Sequence, residues 1–240
     1  MTFGSLFAGI GGMDAGLERA GMTPLWQVEN EPYCVKVLEK HWPGVKRYGD
    51  IKVVDWASVE RPDLVCGGFP CQPVSVAGKR LGTSDDRWLW PEFLRCLRIL
   101  RPRYILLENT PGLLSLGFDE VEASLASLGL CCEWGCLPAS AFGLPQEGYR
   151  VFAFATTHGQ GLALWEAFRS HRQAQQPATL RTVLEAVWAR LRARGHGDHH
   201  GAPGRLDPHR KSRIRAIGNA VAPPVAEWLG RRILEAHERT

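Results

Sequence analysis

A doubly wound α/β domain is predicted for residues 1–158 of this 240-residue chain. Three observations predict it. Short apolar runs alternate with amphipathic stretches of helical period, glycine or proline marks most changeovers, and the unusual polar residues fall at the carboxyl ends of the apolar runs.

Each element follows from its own residues. Thr2 to Phe7 is a short β-prone run ended by the glycines at 9, 11 and 12. Met13 to Ala20 has one apolar face and closes at Gly21. Leu25 to Glu29 reads as a second strand, and Pro32 opens a helix to about His41, since an amide hydrogen is not missed in a first turn. A third β-prone segment ends at Asp50-Ile51. Leu64 to Gly67 and Tyr104 to Glu108 are continuous apolar runs, the pattern of parallel strands covered on both faces. Trp90 to Leu100 and Asp119 to Leu128 have helical spacing, while Leu130–Leu137 and Val151–Ala155 are β-prone.

Near Thr156 the character changes. Residues 159–208 hold two helical stretches, Leu162–Gln173 and Leu180–Arg194, then a basic run rich in glycine and histidine. They read as a small appended segment. Residues 209–240 regain an apolar pattern, with a helix from Val225 to His237, and are expected to return to the main domain.

A composition of 45% hydrophobic and 22% charged residues suits one buried core. No run approaches the roughly 18 apolar residues of a membrane span, and the N-terminus lacks the basic flank and cleavage site of a signal peptide. The expectation is a cytosolic protein whose seven cysteines are reduced thiols. Net charge is +4, but between Arg190 and Arg215 eight Lys/Arg face only two acids. Such a run is either a solvated surface or a phosphate-binding segment, and charge alone does not separate the two.

The strand ends carry the chemistry. Phe7-Ala8-Gly9-Ile10-Gly11-Gly12 is either a tight turn or a loop that lets a cofactor approach the backbone. Glu29, 20 residues after Gly9, stands where an acid hydrogen-bonds ribose hydroxyls. Asp50-Ile51 is either a surface turn or an acceptor with an apolar face for an adenine ring. Cys71 lies in the turn GGFPCQPVS, and Glu108-Asn109 ends the next strand. Together a thiol and a carboxyl at neighbouring strand ends offer a nucleophile and a proton donor, the acid needing a raised pKa to stay protonated.

These stretches resemble the cytosine-5 DNA methyltransferases, a family with a Rossmann-like sheet that uses S-adenosylmethionine. LFAGIGGMDAGLERAGM (6–22), VEN (28–30), GDI (49–51), GGFPCQPVSVAGKRLG (67–82), LLENTPGLL (106–114) and IGNAVAPPVAEWLG (217–230) look like its motifs, in its order. The resemblance implies Cys71 as the nucleophile on C6 of cytosine, Glu108 as the acid at N3, and Arg150 near O2. For the cofactor it implies Phe7, Ala8, Gly9, Gly11, Gly12, Glu29, Asn30, Asp50, Ile51, Pro70, Asn219 and Ala220. For DNA it implies Gln72 and Ser75, with Lys79 and Arg80 on the loop after the nucleophile, and Arg205, Arg210 and Lys211 from the basic run. C6 is inaccessible in a stacked duplex, so the base must be flipped out.

Two departures stand out. The family's Gln-x-Arg-x-Arg motif reads Gln146-Glu147-Gly148-Tyr149-Arg150 here, so one guanidinium is absent. Only about 60 residues separate Arg150 from Arg213, where the family carries a long target-recognition region. Short or relaxed sequence specificity is the expectation. RNA cytosine methylation, and a degenerate DNA binder that is inactive or takes recognition from a partner protein, stay open as alternatives. No metal is expected: neither His196, His199 and His200 nor Cys131, Cys132 and Cys136 has ligand spacing.

Overall fold

The computed structural model of the chain describes residues 1–74, 82–144, 148–157 and 210–238. Its elements in chain order are β1 (Thr2–Leu6), α1 (Gly12–Arg19), β2 (Thr23–Val28), α2 (Pro32–His41), β3 (Lys46–Tyr48) and β4 (Leu64–Gly67). Then come α3 (Trp90–Leu100), β5 (Tyr104–Asn109), the single turn α4 (Leu113–Leu116), α5 (Phe118–Ser127), β6 (Cys131–Pro138), β7 (Tyr149–Thr156), α6 (Arg210–Asn219) and α7 (Pro223–Glu238). The strands form one sheet in the order β3-β2-β1-β4-β5-β7-β6. The helical stretches expected at Leu162–Gln173 and Leu180–Arg194 lie outside the described residues.

β3, β2, β1, β4 and β5 run parallel, as the continuous apolar runs predict. The last two strands depart from that pattern: β7 is antiparallel to both β5 and β6. The reason is the connection between them. The ten residues 139–148 are too few for the crossover that a parallel return needs, and those described hold only the short turn Ala139–Phe142, so the chain returns antiparallel. β7 thus fills the place beside β5 and leaves β6 at the edge.

Side chains along each buried strand alternate between two cores. Val65, Ile105 and Leu107 face the layer of α3 and α5 with Trp26, Trp56 and Phe93. Leu64, Cys66, Tyr104 and Leu106 face Met13 and Leu17 of α1 and Val225, Leu229 and Ile233 of α7. α1 and α7 touch closely, because a Cβ added at Gly16 would lie 2.4 Å from that of Ala226. The C-terminal helix is therefore part of the layer that covers β1 and β4.

One polar group sits inside this layer. Asp14 is fully buried and accepts hydrogen bonds from Ser5 Oγ at 3.0 Å and Gln27 Nε2 at 2.8 Å. Burial pushes its carboxyl from an ordinary 3.8 up to about 6, against those two hydrogen bonds. The folded state thus binds the proton more tightly than the unfolded chain. This contribution to stability is whole below the ordinary carboxylate range and is lost as pH rises through about 6. Asp14→Asn is uncharged at every pH, so its melting temperature relative to the parent chain should climb between about pH 5 and about pH 8. Thermal melts at the two pH values check this; a constant difference would contradict it.

Candidate active site

The carboxyl ends of β1, β2, β4 and β5 open into one cleft of about 350 Å³. It sits where the strand order reverses between β1 and β4, the place where neighbouring loops diverge and leave a crevice. Phe7, Ala8, Gly9 and Gly12 line it beside β1, and Glu29 and Asn30 beside β2. Pro70, Cys71 and Gln72 follow β4, Glu108 ends β5, and Arg150, Asn219 and Ala220 complete the circuit.

The loop after β1 is under backbone strain. Phe7 has φ 53, a left-handed conformation that costs a bulky residue on the order of 1–3 kcal/mol. Its ring packs 6.5 Å from Phe93. Gly9 also has positive φ, and a Cβ built there would meet nothing within 4 Å, so bare backbone faces the cleft. Gly11 does not line the cleft: it caps α1 at φ 78, where a Cβ would strike the ring of Trp42.

Glu29 ties this loop to β2. Its Oε2 accepts from Gly9 N at 2.7 Å, and its Oε1 accepts from Asn30 N at 2.9 Å and Glu31 N at 2.7 Å. With two acceptor sites on each oxygen, Oε2 keeps one for a hydroxyl. Asp50 and Ile51 lie elsewhere: Asp50 caps the turn Ile51–Val53 by accepting from Lys52 N at 3.0 Å, and Ile51 is buried in the core.

Cys71 is held on its turn from two sides. Phe69 is buried against Trp88, with ring centroids 5.1 Å apart, and against Trp90 at 5.8 Å. Its carbonyl accepts from Asn109 Nδ2 at 3.1 Å. Glu108 pairs with Arg150, Oε1 to Nε at 3.0 Å. Burial pushes the Glu108 carboxyl up to about 7, with Arg150 opposing. The Cys71 thiol is raised by burial first and by the negative charge of Glu108 second, and Arg150 again opposes. Gly68 lets the turn come this close, since a Cβ there would lie 2.5 Å from Glu108 Oε2.

Lys211 is exposed on α6, which Arg210 opens. Ser75, Lys79, Arg80 and Arg205 lie outside the described residues, as do Gln146, Glu147 and the three histidines 196, 199 and 200. Cys131, Cys132 and Cys136 are spread along β6. Beside Gly148 an added Cβ would approach nothing nearer than Arg150 Nη1 at 3.8 Å, so sterics do not demand glycine there. Sequence reasoning missed Glu31, Cys34, Ser212 and Arg215 in the cleft wall. It also gave Asn109 no task, although an asparagine beside a strand-end acid was a visible signal.

This strand order, with the reversed β7 and the cleft at its switch point, defines the Rossmann-like methyltransferase fold. Solved structures share the fold. The S. pombe Dnmt2 methyltransferase aligns with a TM-score of 0.57 and 22% identity over 67% of this chain and 52% of that one. The Entamoeba histolytica methyltransferase EhMeth aligns at 0.57 and 19% over 65% and 53%. The chain belongs to the C-5 cytosine-specific DNA methylase family, whose model matches residues 1–200. Among curated relatives, type II methyltransferase M.NgoMIV of Neisseria gonorrhoeae is 37% identical over 162 residues, 65% of this chain and 52% of its own length. M2.BsuMI of Bacillus subtilis is 36% identical over 161 residues, 63% and 41%. The chain spans about half the length of the relatives it matches.

The electrostatics of the cleft can be read without any assay of turnover. Alkylation of Cys71 by iodoacetamide, followed on its own peptide by mass spectrometry, should have a midpoint pH above that of an ordinary thiol. Glu108→Gln removes the neighbouring negative charge and should lower the midpoint, and Arg150→Met should raise it. A midpoint that ignores both substitutions would separate Cys71 from the pair.

Proposed function

We propose that the chain transfers a methyl group from S-adenosylmethionine to C5 of a cytosine in DNA, through covalent attack by Cys71 on C6. The observation that carries this reading is the convergence of Cys71, Glu108 and Arg150 on one cleft whose opposite wall is the open backbone at Gly9. The family and the relatives named as type II methyltransferases support it.

The wall around β1 and β2 fits the cofactor. Gly9 leaves a place that a Cβ would fill, and Glu29 keeps an acceptor for a ribose hydroxyl. Asn219 and Ala220 face it from the end of α6. S-adenosylmethionine, when bound, supplies an electrophilic methyl group on a sulfonium sulfur.

The remaining work falls to this chain's residues. Protonated Glu108 donates to N3 of the flipped base, which makes C6 accept the thiolate of Cys71. Electron density then collects at C5, the atom that takes the methyl group. Loss of the C5 proton expels Cys71. Arg150, fixed by Glu108, donates on the O2 side of the ring. Lys211, with Lys79, Arg80 and Arg205, is assigned to backbone phosphates, and Gln72 to the gap left in the duplex. With so short a segment for reading base edges, specificity is proposed to be short or relaxed. Methylation confined to one long recognition sequence would contradict that part.

Turnover needs a thiolate beside a neutral carboxyl, whereas a thiol above its ordinary pKa and a carboxyl at about 7 rest the other way round. The productive form is one tautomer of the singly protonated pair. kcat/KM should therefore rise through about pH 7, as the pair sheds its first proton, and fall only above the raised thiol pKa. Unmethylated DNA incubated with S-adenosylmethionine and digested to nucleosides should yield 5-methylcytosine by mass spectrometry. Cys71→Ala should yield none, and Glu108→Gln should lose about 10²–10⁴-fold in rate and move its rising limb upward in pH. Product that survives in Cys71→Ala would sink the covalent mechanism.

A further inference from the structure

α6 forms one wall of the cleft, and most of its described side chains are exposed. Among its described side chains only Ala216 is buried, and Ile217 keeps 53% of its surface exposed. The neighbouring α7 is anchored by Val225, Ala226, Leu229 and Ile233. Among the described side chains, apolar burial therefore fixes α7 more than α6.

Two of the polar links that hold α6 in place reach the cleft walls. Gly218 O accepts from Arg150 Nη2 at 3.3 Å. Farther along, Arg215 Nη2 meets Glu31 Oε2 at 2.9 Å. Glu31 is the residue before α2, on the wall built by Glu29 and Asn30, and both partners line the cleft. Their side chains stay 63% and 36% exposed, which places the ion pair at the cleft mouth. In sequence, Arg215 is the last member of a basic run read as solvated surface or a phosphate grip. The structure gives it a partner within the fold.

We propose that the Arg215–Glu31 pair latches α6 across the cofactor side of the cleft, which makes both side chains positioning residues for cofactor retention. The latch follows from the fold; only the identity of the retained ligand rests on the methyltransferase reading. An exposed pair is worth little, so the effect is modest: about two- to five-fold in the opening equilibrium of α6. Because the pair is exposed, salt weakens it.

A double-mutant cycle of Arg215→Ala, Glu31→Ala and the two together tests the latch, read by hydrogen exchange of the α6 backbone amides in the ligand-free full chain. Each single substitution should speed α6 exchange by about two- to five-fold and leave that of α7 alone, and the double should add nothing further. Stopped-flow release of S-adenosylhomocysteine should quicken by the same factor, with the parent chain's release salt-dependent and that of Arg215→Ala much less so. Unchanged α6 exchange in Arg215→Ala, or additive effects in the double, would overturn the latch. So would faster ligand release without faster exchange, since Arg215 would then be acting on the ligand itself. A parent chain that fails to bind S-adenosylhomocysteine would instead count against the methyltransferase reading, and the exchange cycle would still decide the latch.

Discussion

A carboxyl group buried at the end of a central strand sets the terms for the rest of the cleft. β5 has β4 on one side and β7 on the other, so Glu108 emerges from it at 8% exposure. A charge in such a place must be paired or lost. Arg150 provides the pairing, and it is available because of the direction of β7. An antiparallel β7 begins where β5 ends, with Val151 opposite Asn109, so its first residues arrive at the cleft. Had β7 run parallel, its opening residues would have lain at the far edge of the sheet. The reversal that breaks the parallel pattern is what brings a guanidinium to the acid.

Arg150 also reaches beyond the acid. A further contact, with the carbonyl of Gly218, joins the Cys71–Glu108 side of the cleft to a segment far away in sequence. That segment is in place because α7 is seated on α1, where Gly16 removes the Cβ that would hold the helices apart. Two ends of the chain thus meet over one face of the sheet. The loop after β1 and the turn after α6 become adjoining walls of one cavity, Gly12 lying against the Val221 carbonyl. Packing on the covered face and chemistry at the open end are the same arrangement seen from two sides.

Much of this was legible in the residues, and the parts that were not have physical reasons. Buried strands announce themselves as continuous apolar runs, so β4 and β5 were placed almost to the residue. A strand's composition does not encode its direction, which is why β6 and β7 were read only as β-prone and their antiparallel pairing was not foreseen. Strand-end polar residues pointed to Cys71, Glu108 and Glu29, because an acid or thiol there has little packing to contribute. The same logic groups Asp50 and Gly11 with the cleft residues, whereas they cap a turn and a helix, tasks that use the same residue types as a binding loop. Asp14 and Gln27 were invisible for a different reason: a buried polar pair looks like surface in a one-dimensional pattern. Arg215 was hidden by its neighbours, as charge counting cannot tell a paired arginine from a solvated one.

In the proposed mechanism, the resting state of the nucleophile follows from the same burial that serves the acid. Cys71 is half-buried beside a carboxyl, and both features raise its pKa, with Arg150 and a backbone hydrogen bond pulling the other way. A thiolate is the form that alkylating agents and oxidants attack, so a thiol kept protonated is protected while it waits. The cost is that the cleft by itself cannot generate much nucleophile. Deprotonation must be drawn forward by an event that neutralises or occupies Glu108, and a base whose ring nitrogen takes a hydrogen bond from that carboxyl does so. The acid therefore has two effects on the thiol: ionised, it suppresses the thiolate; engaged with substrate, it removes its own suppression. In that mechanism a single buried carboxyl, held by one arginine, ties the reactivity of Cys71 to the presence of the base.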